Sequence, residues 1–327
     1  MQPLVSVIIA AYNSEAFISD TLYSVLKQNY ENFEVIVVND GSTDNTLSIL
    51  KTFTDERIKV VSQENKGQDG AFNTGLPHAA GSYIKYMDSD DLINPEMISL
   101  QVQALNGSQK KVAYSEWARF YNSKPELADF SYLDYWQDMD PVSFLTARPE
   151  GIMLQCGCIL IPRELIERVG GWDERLILFN DTEFFTRIFL AAEGVKFTPG
   201  ARLYYRSGMT GSISAQRGRK FFESTFLAST LIGKNLLAAE DSYRVRNLLS
   251  NILQYRYYDM YPNFSDLGKK HEEMIANYGH VSIKPDGGRV FKLLLKFMNW
   301  KKARVIQNFF YKIGYLKLIK NKGAANK

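Results

Sequence analysis

The chain has 327 residues, 39 lysines and arginines against 36 aspartates and glutamates, and a formal net charge of +3. Two cysteines exclude a disulfide-rich secreted scaffold, and three histidines argue against a histidine-built metal centre. No window reaches the roughly 18 apolar residues of a membrane span, and no basic leader precedes the first apolar run, so the composition predicts a cytoplasmic protein whose metal ligands, if any, are carboxylates.

The N-terminal third alternates between strand and helix patterns. Four apolar, β-branched runs have the length of strands: 4–10, 33–38, 57–62 and 83–87. Segments with helical spacing lie between and after them: 15–28, 43–53, 69–80 and a helix that opens at Pro95. Ser42 or Thr43 is the expected N-cap of the second helix. Elements that alternate at this spacing form right-handed crossovers and a parallel sheet.

The remainder of the chain is less regular and then becomes helical. Three further strands are expected at 111–115, 153–161 and 202–205, and a helix is expected at 181–192. From about Phe221 onward, apolar residues recur at helical spacing. Cys156 and Cys158 would share one face of the strand at 153–161, and we expect buried thiols rather than a zinc site, because no second cysteine pair or nearby histidine completes one.

Polar residues follow three of the predicted parallel strands: Tyr12-Asn13, Asn39 to Ser42, and Asp88 to Asp91. In an open parallel α/β sheet, ligands bind beyond the carboxyl ends of the strands. Strand side chains repeat every two residues, so Asp88 and Asp90 are expected to face one cleft. A hard divalent cation would relieve their repulsion and bridge a diphosphate. The alternative is a loop in which the aspartates cap the next helix, with Asp91 as the cap.

Two other strand ends leave alternatives open. Asp40 could accept hydrogen bonds from a base or ribose, or could be a solvated acid of the turn around Gly41. Tyr12 could stack on a nucleobase, or could simply cover the core.

The blocks VSVIIAAYNSEAFISDTLYSVLKQNYENFEVIVVNDGSTDNT, NKGQDGAFNTG and GSYIKYMDSDD, followed by GGWDERLILFNDTEFFTRI, resemble glycosyltransferase family 2. The resemblance covers 5 to about 92 and 170 to about 214. It implies an α/β fold of GT-A type, in which a mainly parallel Rossmann-like nucleotide-binding sheet is joined to an acceptor-side subdomain, here with a helical C-terminal region. The expected parts are a nucleotide-sugar-binding half at 1–106, an acceptor and catalytic half at 107–218, and the helical region at 219–327.

The resemblance also implies roles for individual residues. The donor nucleotide would be bound by residues near the strand ends: Ala11, Tyr12, Asn13, Glu15, Asp40, Asn73, Asp88 and Ser89. Asp90 would be the chief ligand of Mg²⁺ or Mn²⁺, together with Asp88. Asp181 would be the general base, in an acidic motif where Asn180 replaces the usual glutamate. Trp172, Asp173 and Asn180 would lie on the acceptor side. Asp181 could also be the N-cap of its helix, and Trp172 could belong to the core.

The implied reaction is an inverting, metal-assisted transfer of one sugar from a nucleotide-sugar to a hydroxyl of a glycan or lipid-linked acceptor, in surface polysaccharide assembly. The Gln-x-x-Arg-Trp motif of processive synthases is absent, which favours transfer of a single sugar. Ala71-Phe72-Asn73 lacks the arginine that the family often has, so the base of the donor stays open. The residues directly after Tyr205-Arg206, Ser207 to Thr210, include no histidine, so the third metal ligand stays open too. Arg206, Arg217 or Arg219 could hold the diphosphate or be solvated surface charges.

Two rival functions remain. Nucleotidyl transfer would require a glycine-rich, basic loop directly after the first strand, which 12–15 does not provide. A catalytically inactive nucleotide-sugar-binding scaffold of a glycan assembly complex is the alternative from outside the enzymes, and the acidic residues argue against it.

The C-terminal tail differs in charge from the body. Residues 287–327 contain eleven lysines and arginines and no acidic residue, so the rest of the chain carries a formal charge of −8. Basic residues interleave with Phe, Leu, Trp and Tyr through 287–322, which is typical of a helix lying in a membrane interface. The alternative is a packing helix with solvated charges. We expect a peripheral protein of the inner membrane face that binds no nucleic acid, and the oligomeric state is not predicted.

Overall fold

The computed structural model describes residues 2–121, 123–209 and 218–312. It begins with four strands: β1 (Val5–Ala11), β2 (Phe33–Asp40), β3 (Ile58–Gln63) and β4 (Tyr83–Asp88). β1 pairs in parallel with β2 and β4, and β2 pairs in parallel with β3. The four predicted strands and their parallel arrangement are confirmed, with ends that move by one or two residues.

The helices between these strands are shorter than the sequence pattern predicts: α1 (Ile18–Leu26), α2 (Thr46–Leu50) and α3 (Gly67–Gly75). After β4 come a short strand, β5 (Leu92–Ile93), and α4 (Met97–Leu105), which begins two residues after the predicted opening at Pro95. The predicted cap of α2 is wrong, because the helix begins after Asn45. Ser42 and Thr43 bind Asn13 instead. The Asn13 N–H donates to the Ser42 hydroxyl at 3.1 Å, and the Thr43 N–H donates to Asn13 Oδ1 at 2.8 Å.

The second half of the sheet adds β6 (Lys111–Phe120), β7 (Ile159–Pro162) and β8 (Gly194–Arg206), in the order β3-β2-β1-β4-β7-β6-β8-β5. β7 is antiparallel to β4 and β6, whereas β6 and β8 are parallel. β8 has 13 residues, far more than the expected strand at 202–205. Pro199 and Gly200 interrupt its pattern, and the β6–β8 register shifts at Ser115/Glu116 to accommodate them.

The strand predicted at 153–161 is wrong in its first part. Cys156–Cys158 forms a 3₁₀ turn, and only the residues of β7 are extended. A Cβ at Gly157 would lie 2.7 Å from Leu203 Cδ1, so this turn packs directly onto β8. Both thiols are buried, as predicted, but they do not share a strand face.

Helices α5 (Pro141–Leu145), α6 (Arg163–Val169) and α7 (Asn180–Ala191) lie between β6 and β8 in the chain. The helices that follow β8 are α8 (Arg219–Ala239), α9 (Tyr243–Met260), α10 (Ser265–Tyr278), α11 (Arg289–Leu294) and α12 (Trp300–Lys312). One apolar core spans both halves of the sheet and includes Ile232 of α8 and Leu249 of α9. A smaller core lies among α8, α9 and α10, with Phe222 and Tyr257 as members. The division at 106 and 218 stays a prediction.

Candidate active site

Three carboxylates converge where β4 ends. Asp88 is the last residue of β4, and Asp90 and Asp91 lie in the loop that leads to β5. One oxygen of each carboxylate lies within 4.8 Å of an oxygen of the other two. The convergence expected for Asp88 and Asp90 is therefore observed, and Asp91 joins them.

The loop that carries these aspartates is held from two sides. The Thr21 hydroxyl of α1 donates to the carbonyls of Ser89 and Asp91, both at 2.9 Å. From β8, the Arg206 N–H donates to Asp91 Oδ1 at 2.9 Å, and Arg206 Nε donates to the Asp90 carbonyl at 2.7 Å. The backbone of a short acidic loop is thus fixed before any ligand binds. Asp91 is bonded to β8 and caps no helix, because α4 begins after Glu96.

Of the three arginines that the sequence suggested for a diphosphate, two already have other partners within the protein. Arg206 is buried, and its guanidinium lies 4.7 Å from the ring centroids of both Phe17 and Phe120. Arg219 is paired with Glu223 and Asp266 on the surface. Arg217 lies outside the described residues.

Burial and mutual repulsion raise the pKa values of the aspartates. Burial raises the pKa of Asp88 to about 7, and the charge of Asp90 contributes further. Burial also raises the pKa of Asp91 well above its usual range, and it raises that of Asp90 against the opposing charge of Arg206. Asp91 Oδ2 is buried without a hydrogen-bond partner among the described residues. This set of oxygen donors fits a hard divalent cation.

Asp181 lies in the first turn of α7, next to Asn180, whose amide is linked through Gln68 to Asp88. The helix begins at Asn180 after Phe179, which has φ +69°, so Asp181 is not the N-cap. Its Oδ1 accepts from the Thr182 N–H at 2.6 Å. Burial raises the pKa of Asp181, whereas the Thr182 hydrogen bonds and the charge of Arg256 lower it. The charge of Asp181 also contributes to the raised pKa of Asp88.

A chain of side chains links these two parts of the site. Gln68 Nε2 donates to Asp88 Oδ1, and Asn180 Nδ2 donates to Gln68 Oε1 at 3.3 Å and to Asp69 Oδ1 at 2.5 Å. Asp69 is 3% exposed, and its Oδ2 has no hydrogen-bond partner among the described residues. Burial raises its pKa to about 7. We refer to Gln68, Asp69 and Asn180 as the amide bridge.

The sequence prediction missed Gln68 and Asp69, which it treated only as residues near a helix start. One signal for them was present. Asn180 replaces the acid that the family usually has at its position, and the structure places an acid, Asp69, opposite the amide.

The ends of β1, β2 and β4 lie side by side, as the parallel sheet predicts. Ala11 pairs with Asn39 in the ladder, and the hydroxyls of Ser14 and Ser89 hydrogen-bond at 2.6 Å. Asp40 is buried, and its Oδ1 accepts from Gln63 Nε2 at 2.7 Å and from the Lys66 N–H at 2.8 Å.

The side chains predicted to bind the nucleotide differ in how exposed they are. Tyr12 is half exposed at this edge, and Asn13 has φ +48°. Glu15 Oε2 accepts from the N–H and the amide of Asn45. Direct contact of these residues with a nucleotide stays a prediction.

Asn73 and Trp172 join the two sequence blocks. Asn73 Oδ1 accepts from the Trp172 N–H, and its Nδ2 donates to the Trp172 carbonyl, both at 2.9 Å. Trp172 is buried and stacks on Phe184 with ring centroids 4.1 Å apart. Asp173 forms an ion pair with Arg175. These contacts give Asn73 and Trp172 a structural role, and their contacts with donor or acceptor stay predictions.

The chain resembles known proteins in sequence. A sequence model of the family described as Glycosyl transferase family 2 matches residues 6–170. An uncharacterized glycosyltransferase of Haemophilus influenzae is 48% identical over 99 residues, which are 29% of this chain and 31% of that protein. The Escherichia coli UDP-Glc:alpha-D-GlcNAc-diphosphoundecaprenol beta-1,3-glucosyltransferase WfaP is 29% identical over 263 residues, which are 77% of this chain and 97% of that protein.

The fold also matches solved structures. The crystal structure of S. aureus TarS 1-349 in complex with UDP has a TM-score of 0.59 at 20% identity, and the match covers 84% of this chain and 88% of that chain. Several of the curated relatives are matched over less than two thirds of their length, including 44% of Bacillus subtilis EpsH. The similarity to TarS shows a shared fold.

Proposed function

The chain belongs to glycosyltransferase family 2, and from this membership and the acidic cleft we propose that it transfers a single sugar from a nucleotide-sugar to a hydroxyl of a glycan or lipid-linked acceptor. The transfer would invert the anomeric centre and would serve surface polysaccharide assembly. The observation that carries the proposal is the convergence of Asp88, Asp90 and Asp91 at the end of β4, to which the helix turn that carries Asp181 is linked through Asn180 and Gln68.

A uridine diphosphate sugar is the donor that the comparisons favour. The S. aureus TarS structures are complexes with UDP and with UDP-GlcNAc, and the name of E. coli WfaP gives UDP-Glc as its donor. In this chain, Tyr12 would stack on the base, and the buried Asp40 would read it from the adjacent strand end.

We assign separate tasks to the carboxylates. Asp181 would accept the proton of the attacking hydroxyl, because a hydroxyl is a weak nucleophile without a base within hydrogen-bond reach. Asp88 and Asp90 would hold Mg²⁺ or Mn²⁺, which supplies charge neutralisation at the leaving diphosphate when bound. Thr21 and Arg206 keep the aspartate loop in place, and the amide bridge keeps α7 against α3.

Turnover of the donor tests this proposal. UDP-Glc, UDP-GlcNAc and other nucleotide-sugars are incubated with the protein and Mn²⁺, and released nucleotide is measured against an Asp181→Asn variant. Hydrolysis that requires both the metal and Asp181 is expected. Donor binding without any hydrolysis or transfer would instead favour the inactive scaffold.

The C-terminal helices favour peripheral attachment to the inner face of a membrane. In the described part of the chain, no helix is long and apolar enough to cross a bilayer. The inner side of α12 packs on the body, where Trp300 lies 4.7 Å from the Tyr258 ring. Phe297 and Phe309 are 78% and 60% exposed beside lysines, which suits an anionic lipid surface. Residues 313–322 of the predicted surface lie outside the described residues.

Flotation with vesicles tests the attachment. The wild-type protein should float with vesicles that contain anionic phosphatidylglycerol, and a Phe297→Ser, Phe309→Ser variant should float less. Tyr243→Ser, which removes an equally exposed aromatic ring from α9, is the matched control. Equal flotation of all three proteins would contradict the membrane proposal.

A further inference from the structure

A second opening lies beside the acidic cluster. It is a cleft of about 500 Å³ between the end of β6 and the segment 129–153, and its lining includes two arginines, two acids and two aromatic residues: Arg119, Arg148, Asp129, Glu150, Trp117 and Tyr135. The nucleotide residues predicted from the sequence come from β1, β2 and β4, on the other side of the aspartates. We call this opening the arginine cleft.

The arginine cleft adjoins the carboxylates through β8. Arg119 is opposite Tyr205 in the β6–β8 ladder, and its guanidinium carbon lies 5.0 Å from the centroid of the Tyr205 ring. The charges of Asp88 and Asp91 act on Tyr205 and, with its burial, raise its pKa. The next residue, Arg206, holds the Asp90 carbonyl. Tyr205 therefore contacts an arginine of the cleft and also feels the charges of the acidic cluster.

The cations of the cleft are available to an anion. The hydrogen bonds recorded for Arg119 go to the Ser207 hydroxyl at 2.9 Å and to the Met153 sulfur at 3.3 Å, which are neutral groups. Arg148 meets Asp134 at 3.1 Å, but the Asp134 side chain is 67% exposed, so water screens this pair. Guanidinium groups bind phosphate oxygens in a bidentate manner, and two of them suit a diphosphate.

The surroundings of the two arginines are amphiphilic. Asp129 and Glu150 can accept hydrogen bonds from sugar hydroxyls, and the partly buried Trp117 ring also lines the cleft. Large apolar or aromatic side chains are exposed in the adjoining segments: Tyr121, Leu127, Tyr132 and Met153. A sugar joined through a diphosphate to an apolar chain would match the acids, the arginines and the exposed apolar side chains of this surface, respectively.

We propose that the arginine cleft binds the acceptor as a lipid-linked saccharide diphosphate, with Arg119 and Arg148 on the diphosphate. The assignment rests on the proposed glycosyl transfer, because it specifies the acceptor of that reaction. The lipid would leave over the exposed apolar side chains, and the saccharide would point toward Asp181 and the aspartates.

Binding of synthetic probes tests this assignment. Undecyl diphosphate, inorganic diphosphate and the neutral undecyl maltoside are titrated calorimetrically, below their micellar concentrations and with UDP and Mn²⁺ present. We expect undecyl diphosphate to bind more tightly than the other two. Arg119→Gln and Arg148→Gln should each weaken it about tenfold, and Arg119→Lys should weaken it less.

The matched control is Arg168→Gln, which removes an exposed arginine of α6 whose recorded hydrogen bond goes to the Ala191 carbonyl. It should leave probe binding unchanged, and the melting temperature of each variant verifies folding. Equal affinity of wild type and the two glutamine variants, absent binding of undecyl diphosphate, or inorganic diphosphate binding as tightly as the lipid probe would each overturn the assignment.

UDP affinity, measured alone, separates this inference from the proposed function. If the Arg119→Gln variant loses UDP affinity, the arginine belongs to the donor site and the assignment is wrong. If the wild-type protein binds no nucleotide at all but still binds undecyl diphosphate, the proposed transfer fails while the cleft stands as a lipid diphosphate site.

Discussion

Asn180 and Asp69, which are 111 residues apart in the chain, meet through a 2.5 Å hydrogen bond from the amide to the carboxylate. The contact ties the first turn of α7 to the first turn of α3, and therefore ties the candidate base to the helix whose Gln68 reaches Asp88. The spacing between the proposed base, Asp181, and the proposed metal ligand, Asp88, thus depends on residues that need not touch a substrate.

Asp69→Asn should make the stability of the protein less dependent on pH. The pKa of Asp69 is about 7 in the folded protein, above its ordinary value of 3.8. The folded state therefore binds the Asp69 proton more tightly than the unfolded state does, and the free energy of unfolding falls as the pH rises from about 4 to about 7. The asparagine avoids the buried charge. At pH 8 the variant should be more stable than wild type by on the order of 1–3 kcal/mol, and at pH 4 nearly equal.

Thermal melts across this range measure the difference. Asp241→Asn, which changes an exposed aspartate paired with Arg246, provides the control. A wild-type advantage at pH 8 would show that the Asp69 carboxylate is stabilised by its surroundings.

Asn180→Glu should destabilise the protein, because it places a second carboxylate against buried Asp69. We expect a loss of a few degrees in melting temperature at pH 8 and a matching loss of activity. The double variant Asp69→Asn, Asn180→Glu should recover most of the stability, since the new amide can donate to the new carboxylate. Purely additive effects in this double-mutant cycle would contradict the bridge.

Asp181→Asn should lower kcat by a factor of about 10² to 10⁴ while leaving the affinity for UDP unchanged, because it removes the general base and keeps the shape of the side chain. Steady-state kinetics and nucleotide titration measure the two quantities. Asp173→Asn, which changes a neighbouring acid paired with Arg175, is expected to retain far more activity. A similar loss in both variants would argue against a special role for Asp181.

Asp90→Asn should abolish the rise in melting temperature that Mn²⁺ produces in the presence of UDP, because one charged oxygen ligand is lost from the cluster. Thermal shift with and without metal measures this. An equal Mn²⁺ response in wild type and variant would place the cation elsewhere.

The sequence predicted the donor side of the fold well because β1, β2 and β4 are continuous apolar runs that end in polar residues. It predicted the other side poorly for local reasons. Pro199 and Gly200 are unusual inside a strand, so the sequence pattern predicts only the last part of β8. The Cys156–Cys158 turn was predicted as part of a strand because buried turns and buried strands are both apolar.

The site shows the same limit. The two-residue repeat of a strand predicts that Asp88 and Asp90 share a cleft, whereas Asp181 is predicted only by the resemblance and Asp91 only as a cap. Arg119 and Arg148 carry no pattern at all, since their meeting depends on how β6 packs against a distant segment.

The hydrogen bonds from Arg206 to the aspartate loop affect the order in which the site forms as the chain is synthesised. Arg206 is separated from Asp90 by 116 residues, so a ribosome that has released β1 to β4 has made the acidic loop but not the strand that secures it. The nascent sheet would carry three crowded carboxylates held only from α1 until β8 has paired with β6. The acidic loop is therefore fully secured only late in synthesis, after the greater part of the sheet has been made.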